Sequence, residues 1–285
     1  MSTDAKRRLA AAAFVALLLL SVFWPEPIVD VNRLCCHALL GVDDLSFLGR
    51  EAPSWDVAFW CLAGLFALAL MHPTGERRDY SVAPLRRSLS PLPVVVSCVA
   101  AAIVVTIVWR VADAPVTAWA ERIQSGSVQD WIRIANRLGG GMNPAMVVVF
   151  FYLAGVAYSA PRWRRTALQM TLAGAGAGLL AQIIKYTVGR ARPELWLGPF
   201  QHARASATSF PSGHTVGAFA LAGILLFTSP SRALRIAAAI VAAAVGLSRI
   251  LAFRHWTSDV VASAAVGLIV AWTVSQLTKQ PQELG

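Results

Sequence analysis

The chain has 285 residues, of which 56% are hydrophobic and only 14% charged, against about 25% charged in a soluble domain. That shortage of polar surface excludes a water-coated globule, a disordered region and a disulfide-rich secreted module, and leaves a polytopic membrane protein. The net charge of +10 raises nucleic acid as a partner, a reading that the placement of the charges removes.

Eight apolar runs are long enough to matter: Leu9–Trp24, Val57–Met71, Leu92–Trp109, Pro144–Ala160, Ala167–Ile184, His214–Thr228, Ile236–Phe253 and Val260–Leu277. Each is predicted as a membrane helix, and those short of roughly 20 residues extend through flanking Ser, Thr and Trp into the interface. The first follows Lys6, Arg7 and Arg8 and so resembles a signal-peptide core. Ser21–Pro25 is too bulky for a cleavage site, however, so the run reads as a retained span with a cytoplasmic N-terminus. Cys35, Cys36 and His37 sit together in the loop that follows; adjacent cysteines without a second ligand pair fit zinc poorly. Cys61 and Cys98, inside apolar runs, read as small hydrophobes.

The segment Ala114–Met142 carries Trp119, Ile123, Trp131, Ile132 and Leu138 among polar residues. It predicts one or two amphipathic helices along the interface, ended by Gly139, Gly140 and Gly141. The alternating alanines and glycines of Ala173–Gly178 predict close helix packing rather than a phosphate loop. With both termini inside, the inner segments hold thirteen bases and four acids and the outer segments eleven of each, Arg110 lying at a span end. Nearly all of the base excess falls on one side, as cytoplasmic loops require. The charge therefore concerns orientation in a cell membrane, and no nucleic-acid partner is expected.

Three outer loops carry polar groups that a membrane protein does not hold by accident. Lys185 and Arg192 stand seven apart at the exit of the fifth run, which on a continuous helix puts them on one face before Pro193 stops it. Pro211-Ser212-Gly213-His214 opens the sixth run; free N–H groups and the positive end of the helix dipole make an anion seat there. Ser212 can cap the helix and donate to an oxyanion, and Gly213 allows close approach of the backbone. Ser248-Arg249 and His255-x3-Asp259 join the last two runs. If the eighth helix begins early, His255 and Asp259 share a face and the carboxylate can orient the imidazole. Arg249 adds a planar cation suited to phosphate oxygens. All three loops fall on the outer side, so together they suit a tetrahedral oxyanion.

Lys185-x6-Arg192-Pro193, Pro211-Ser212-Gly213-His214 and Ser248-Arg249-x5-His255-x3-Asp259 resemble, in identity, spacing and order, the signature of the type 2 phosphatidic acid phosphatase superfamily. The resemblance covers about Leu92–Leu277 and implies an all-α integral membrane fold. Residues 91–279 would form a six-helix phosphatase bundle with an outer-face active site, and residues 1–90 a preceding pair of spans with a basic cytoplasmic loop. It also implies cofactor-free, metal-independent phosphate chemistry through a phosphohistidine. His255 would be the nucleophile, Asp259 its orienting partner, and His214 the group that protonates the departing oxygen and then assists water. Lys185, Arg192, Ser212, Gly213 and Arg249 would hold the phosphoryl oxygens. Arg190 and Arg254 flank the motif as candidate phosphate ligands, with solvated or headgroup-facing arginine the favoured reading. Trp196, Phe200 and His202 either line a substrate mouth or belong to an interfacial aromatic belt.

The expected function is a membrane lipid phosphatase whose substrate is an isoprenoid diphosphate, phosphatidylglycerophosphate, phosphatidate or lipid A. A lipid phosphotransferase sharing the same intermediate is the alternative. A transporter is a more distant one, because the key cations cluster on one side instead of lining a path through the bilayer.

Overall fold

The computed structural model describes residues 90–140, 142–157, 160–203 and 208–279. The runs Leu9–Trp24 and Val57–Met71, the Cys35–His37 cluster and the Arg77–Arg87 loop lie outside the described residues. Among the described residues eight α-helices follow one another: α1 (Leu92–Val111), α2 (Asp113–Arg122), α3 (Gly126–Gly139), α4 (Met142–Ala157), α5 (Pro161–Val188), α6 (Gly213–Thr228), α7 (Arg232–Leu251) and α8 (Thr257–Leu277). Extended structure among the described residues is confined to two isolated bridges, Arg190 with His202 and Ala191 with Thr208.

The helix starts are written locally. Proline opens α5 and precedes α1, where a missing N–H costs no helical bond. Ser125, Ser212 and Ser231 cap α3, α6 and α7 by accepting the N–H of the residue three further on. The helix α5 stops at Gly189, whose φ of +60° lies in the left-handed region that favours glycine.

All six helices expected of the core are present. Four of them, α1, α5, α7 and α8, are long and apolar enough to cross a membrane. The other two, α4 and α6, have 16 residues each, about 24 Å, which falls short of a core about 30 Å thick.

The chain divides into two compact units. In the described part of the first, the rings of Phe150 and Phe151 meet edge to face at 5.8 Å and Trp163 lies beside both. The second unit, residues 81–144 and 168–285, is built around α6. Val216, Ala220 and Ile224, four residues apart on one face, are fully buried, and α7 and α8 pack against this helix. Close approach of α8 depends on Gly267: a Cβ there would stand 2.7 Å from the Val216 carbonyl oxygen and 2.8 Å from the Ala220 nitrogen. Small residues at a helix crossing are how membrane helices gain van der Waals contact, since lipid offers no hydrophobic drive for association. The helix α1 lies on α8 but buries no residue, consistent with an all-round apolar helix in lipid.

The alanine–glycine stripe of α5 is a packing surface, as expected, with a more specific layout. Met170, Ala173, Ala177 and Ala181 form the buried line, whereas Gly178 faces open space. The amphipathic segment is two helices, and α3 packs on α7. Ala120, Ile132 and Leu251 form a buried cluster with Ile123, Val128, Trp131 and Phe253 around it. This covers the end of α7 that carries Arg249.

Candidate active site

The first loop departs from the helical expectation. Lys185 sits in the last turn of α5, but Gly189 turns the chain before Arg192 is reached. Arg190 and Ala191 instead form bridges with His202 and Thr208, Ala191 donating its N–H to the Gln201 carbonyl at 2.8 Å and Ala203 donating to that of Gly189 at 2.9 Å. Lys185 and Arg192 therefore do not share a helical face. Arg192 is held by bonds from its Nε to the Thr208 carbonyl, 3.3 Å, and from Nη1 to Glu194, 3.2 Å.

Glu194 also receives two bonds from Arg254 Nη1, at 2.7 and 2.9 Å. Partial burial acts to raise the Glu194 carboxyl, but the hydrogen bonds and charges of Arg254 and Arg192 outweigh it and hold the group below its ordinary value. Arg254 remains partly exposed, 45% at the side chain.

The second loop places Ser212 and Gly213 at the start of α6. Ser212 is fully buried, and its Oγ accepts from the Thr215 N–H at 3.4 Å and from the Thr215 hydroxyl at 2.9 Å. Its own N–H is not free for an anion, because it donates to Ser263 Oγ of α8 at 2.7 Å. Space is open at Gly213, where an added Cβ would meet nothing within 4 Å.

His214 lies against Gly139, the last residue of α3. A Cβ at Gly139 would collide with Val245 Cγ1 and stand 3.3 Å from His214 Cβ. Gly139→Ala must therefore push α3, α7 or His214 aside. Overpacking of this kind costs about 1–3 kcal/mol, and a displacement approaching 1 Å at a catalytic group costs about 100-fold in rate. A fall in kcat of about 10–100-fold is expected, with expression largely kept. Steady-state kinetics check it, and an unchanged kcat would show that His214 does not need this seat.

The third loop carries Arg249 in the last turn of α7, 9% exposed. Its Nη1 donates to Asn136 Oδ1 of α3, while its buried Nε has no partner among the described residues. A buried guanidinium whose Nε–H is left without a partner is suited to an oxyanion.

His255 lies before α8, which begins at Thr257, so His255 and Asp259 are not a pair on one helical face. The separation of His255 Nδ1 from Asp259 Oδ2 is 3.8 Å, beyond hydrogen-bond reach. What His255 Nδ1 meets is the Ser209 carbonyl, at 2.6 Å. A carbonyl only accepts, so Nδ1 carries the proton and Nε2 keeps its lone pair. Burial pushes the His255 imidazole well below its ordinary pKa; the Arg249 charge acts the same way, as do Lys185 and Arg192, against the opposing pull of the Ser209 carbonyl. His255 is thus a neutral imidazole with Nε2 as its basic nitrogen, the form a nucleophile requires.

Arg190 is buried, 7% exposed, and does not face headgroups as the sequence reading had it. It is bonded at every arm: Nε to the Pro199 carbonyl (2.9 Å), Nη1 to Ser258 Oγ (2.7 Å) and Asp259 Oδ1 (2.6 Å), Nη2 to Asp113 Oδ2 (2.6 Å). Trp109 and Trp256 lie within 5.7 and 5.2 Å of its guanidinium. Breaking such a buried pair from one side costs about 3–5 kcal/mol, so the two carboxylates are required wherever Arg190 is. Trp196 and Phe200 are largely exposed, and the Phe200 ring packs tilted against Trp109 with centroids 5.2 Å apart.

The predicted site residues converge. His255 lies within electrostatic range of Arg249, Lys185 and Arg192, and His214 within range of Arg249 and Lys185. Sequence reasoning missed Asn136, Ser209 and Asp113. Only Asp113 left a signal, an acid four residues past the end of the long apolar run Leu92–Trp109. Fold and site together define an all-helical membrane protein with two histidines and three cations gathered at one end of a helix bundle. Residues 166–282 match the family model of the PAP2 superfamily.

Curated relatives include a lipid A 1-phosphatase of Porphyromonas gingivalis, 38% identical over 110 residues, and one of Rhizobium johnstonii, 42% identical over 106. These matches take in 38% and 34% of this chain but only 23% and 40% of those proteins' own length. Among solved structures, a transmembrane PAP2-type phosphatidylglycerolphosphate phosphatase from Bacillus subtilis superposes with a TM-score of 0.53 at 24% identity, covering 64% of this chain and 94% of that one. That likeness concerns the fold.

Proposed function

We propose that the protein is a membrane phosphatase that removes a phosphate from a lipid headgroup through a phosphohistidine, with lipid A as its leading substrate. The observation that carries the reading is the state of His255: Nδ1 tied to the Ser209 carbonyl, Nε2 available, and Arg249, Lys185 and Arg192 around it. In the first step His255 Nε2 attacks phosphorus, the bond from phosphorus to the lipid oxygen breaks, and His214 delivers a proton to that oxygen. In the second, His214 takes a proton from water as the water attacks phosphorus. The P–N bond then breaks and inorganic phosphate leaves. Lys185, Arg192, Arg249 and the Gly213 end of α6 hold the phosphoryl oxygens in both steps.

Lipid A comes first among the candidate lipids because the curated relatives are lipid A 1-phosphatases. The site's donors are cations and N–H groups, which bind phosphate oxygens directly and repel a divalent ion, in support of metal-independent turnover. The one-sided base excess supports a site facing away from the cytoplasm, with both termini inside.

A substrate panel tests the reading. Purified protein should release inorganic phosphate from lipid A faster than from phosphatidate, phosphatidylglycerophosphate or an isoprenoid diphosphate. Chelator should leave the rate nearly unchanged, and vanadate should inhibit. Loss of activity in chelator with recovery in magnesium would sink the mechanism, and phosphate appearing on a second lipid instead of free would make the protein a phosphotransferase. An impermeant substrate should be turned over outside intact cells; turnover only in inverted membranes would reverse the orientation.

A further inference from the structure

The steps assigned to His255 and His214 use neither Asp113 nor Arg190, yet these two are among the most completely bonded buried charges among the described residues. Asp113, the first residue of α2, is fully buried. Its Oδ1 accepts the Ser258 N–H at 2.8 Å, and its Oδ2 accepts the Ser258 hydroxyl and Arg190 Nη2, both at 2.6 Å. Arg190 then connects to His255 by two routes. Its backbone carbonyl accepts the Ser209 N–H at 2.7 Å, fixing the residue whose own carbonyl binds His255 Nδ1. Its guanidinium binds Asp259 Oδ1, and the other oxygen of Asp259 accepts the Trp256 N–H at 2.9 Å, locking the turn that holds His255.

We infer that Asp113 and Arg190 are positioning residues for His255, fixing its orientation and the net charge that it faces during phosphoryl transfer. When Nε2 bonds to phosphorus, the ring becomes a cation whose Nδ1–H points at the Ser209 carbonyl, with Asp259 Oδ2 at 3.8 Å. Were Asp259 paired with Arg190 alone, that couple would be neutral and offer the new cation little. Asp113 is the second carboxylate on the same guanidinium, so the cluster of Asp113, Arg190 and Asp259 carries one net negative charge. Ser258, whose hydroxyl accepts from Arg190 and donates to Asp113, keeps the three in register.

The inference rests on the phosphohistidine reading, and the experiment separates the two. Asp113→Asn, Arg190→Gln and their double variant are compared with wild type for kcat, KM, vanadate inhibition and the rate of phosphoenzyme formation. Asp113→Asn should lower kcat and phosphoenzyme formation together by about 10–100-fold, with KM and vanadate inhibition within about threefold of wild type, because the phosphate ligands are untouched. Arg190→Gln should lose more, and adding Asp113→Asn to it should recover part of the loss by returning the cluster to one net negative charge. Ser258→Ala changes no charge and serves if Asp113→Asn does not accumulate; a loss of about 3–10-fold in kcat at unchanged KM is expected. Wild-type kcat in folded Asp113→Asn or in Ser258→Ala, or a rise in KM and vanadate inhibition constant that accounts for the whole defect, would overturn the positioning role alone. A wild-type protein that forms no phosphoenzyme would overturn the phosphohistidine reading, and the inference with it.

Discussion

His255→Ala is expected to abolish turnover on every phosphate substrate, by on the order of 10⁴-fold or more. The size follows from the kind of role. A group that binds or orients can be partly replaced by water or by a neighbour, whereas a nucleophile that forms the covalent bond has no substitute in the same mechanism. Among the described residues, the groups bonded around His255 offer none. Ser209 presents its carbonyl to the ring and its hydroxyl to the Ala191 carbonyl at 3.1 Å, and Asp259 is occupied by Arg190 and the Trp256 N–H. Vanadate should still bind the variant, more weakly, because Lys185, Arg192 and Arg249 remain. Base-stable, acid-labile labelled phosphoenzyme, as a P–N bond to imidazole requires, is the measurement, made on wild type and variant side by side with labelled substrate. A phosphoenzyme that survives in His255→Ala would move the nucleophile to another residue.

Apolar length and local caps made the helical core legible in the sequence. The runs Leu92–Trp109, Ile236–Phe253 and Val260–Leu277 correspond to α1, α7 and α8, each helix exceeding or shifting its run by a few residues. The differences arise where polar residues still continue a helix, as at Arg232 and Arg235 in the first turns of α7. The same property hid the fate of Ala114–Met142. Its periodicity reports an apolar stripe without saying what the stripe meets, and Ile132 meets Leu251 of α7 rather than lipid alone.

The site was legible where chemistry fixes residue type and spacing, and illegible where support comes from a distant segment. Lys185, Arg192, Ser212, Gly213, His214, Arg249, His255 and Asp259 stand in short motifs. The Asn136 bond to Arg249 spans 113 residues and the Asp113 bond to Arg190 spans 77, so neither can appear in a local pattern. Spacing also misled. A separation of seven from Lys185 to Arg192 implies a shared helical face only if the helix persists, and Gly189 ends it. A separation of four from His255 to Asp259 implies contact only within a helix, and α8 starts two residues too late. The imidazole proton goes instead to a backbone carbonyl, which no sequence motif records because every residue has one.

His214→Ala separates the second histidine from the first by the chemistry of the leaving group. A general acid contributes in proportion to how badly the departing oxygen needs a proton, typically about 10²–10⁴-fold. A lipid alcohol leaves poorly as an alkoxide, whereas an aryl oxide or the inner phosphate of a diphosphate leaves readily without help. His214→Ala should therefore lose about 10²–10⁴-fold on an alkyl monophosphate and far less on an aryl phosphate or a diphosphate in the first turnover. His214 also lies within electrostatic range of Arg249 and Lys185, so its removal can loosen phosphate binding as well. The comparison is accordingly made as single-turnover rates at saturating substrate, where a binding defect cancels, and not from kcat/KM alone. With an aryl phosphate the variant should accumulate phosphoenzyme, because bond formation to His255 proceeds while water lacks its base in the second step. Gly139→Ala, which displaces the same side chain, should follow the same ordering of substrates with smaller losses. Equal losses on alkyl and aryl substrates would mean that His214 binds phosphate and does not move a proton, and the proton would then have to come from one of the cations or from water.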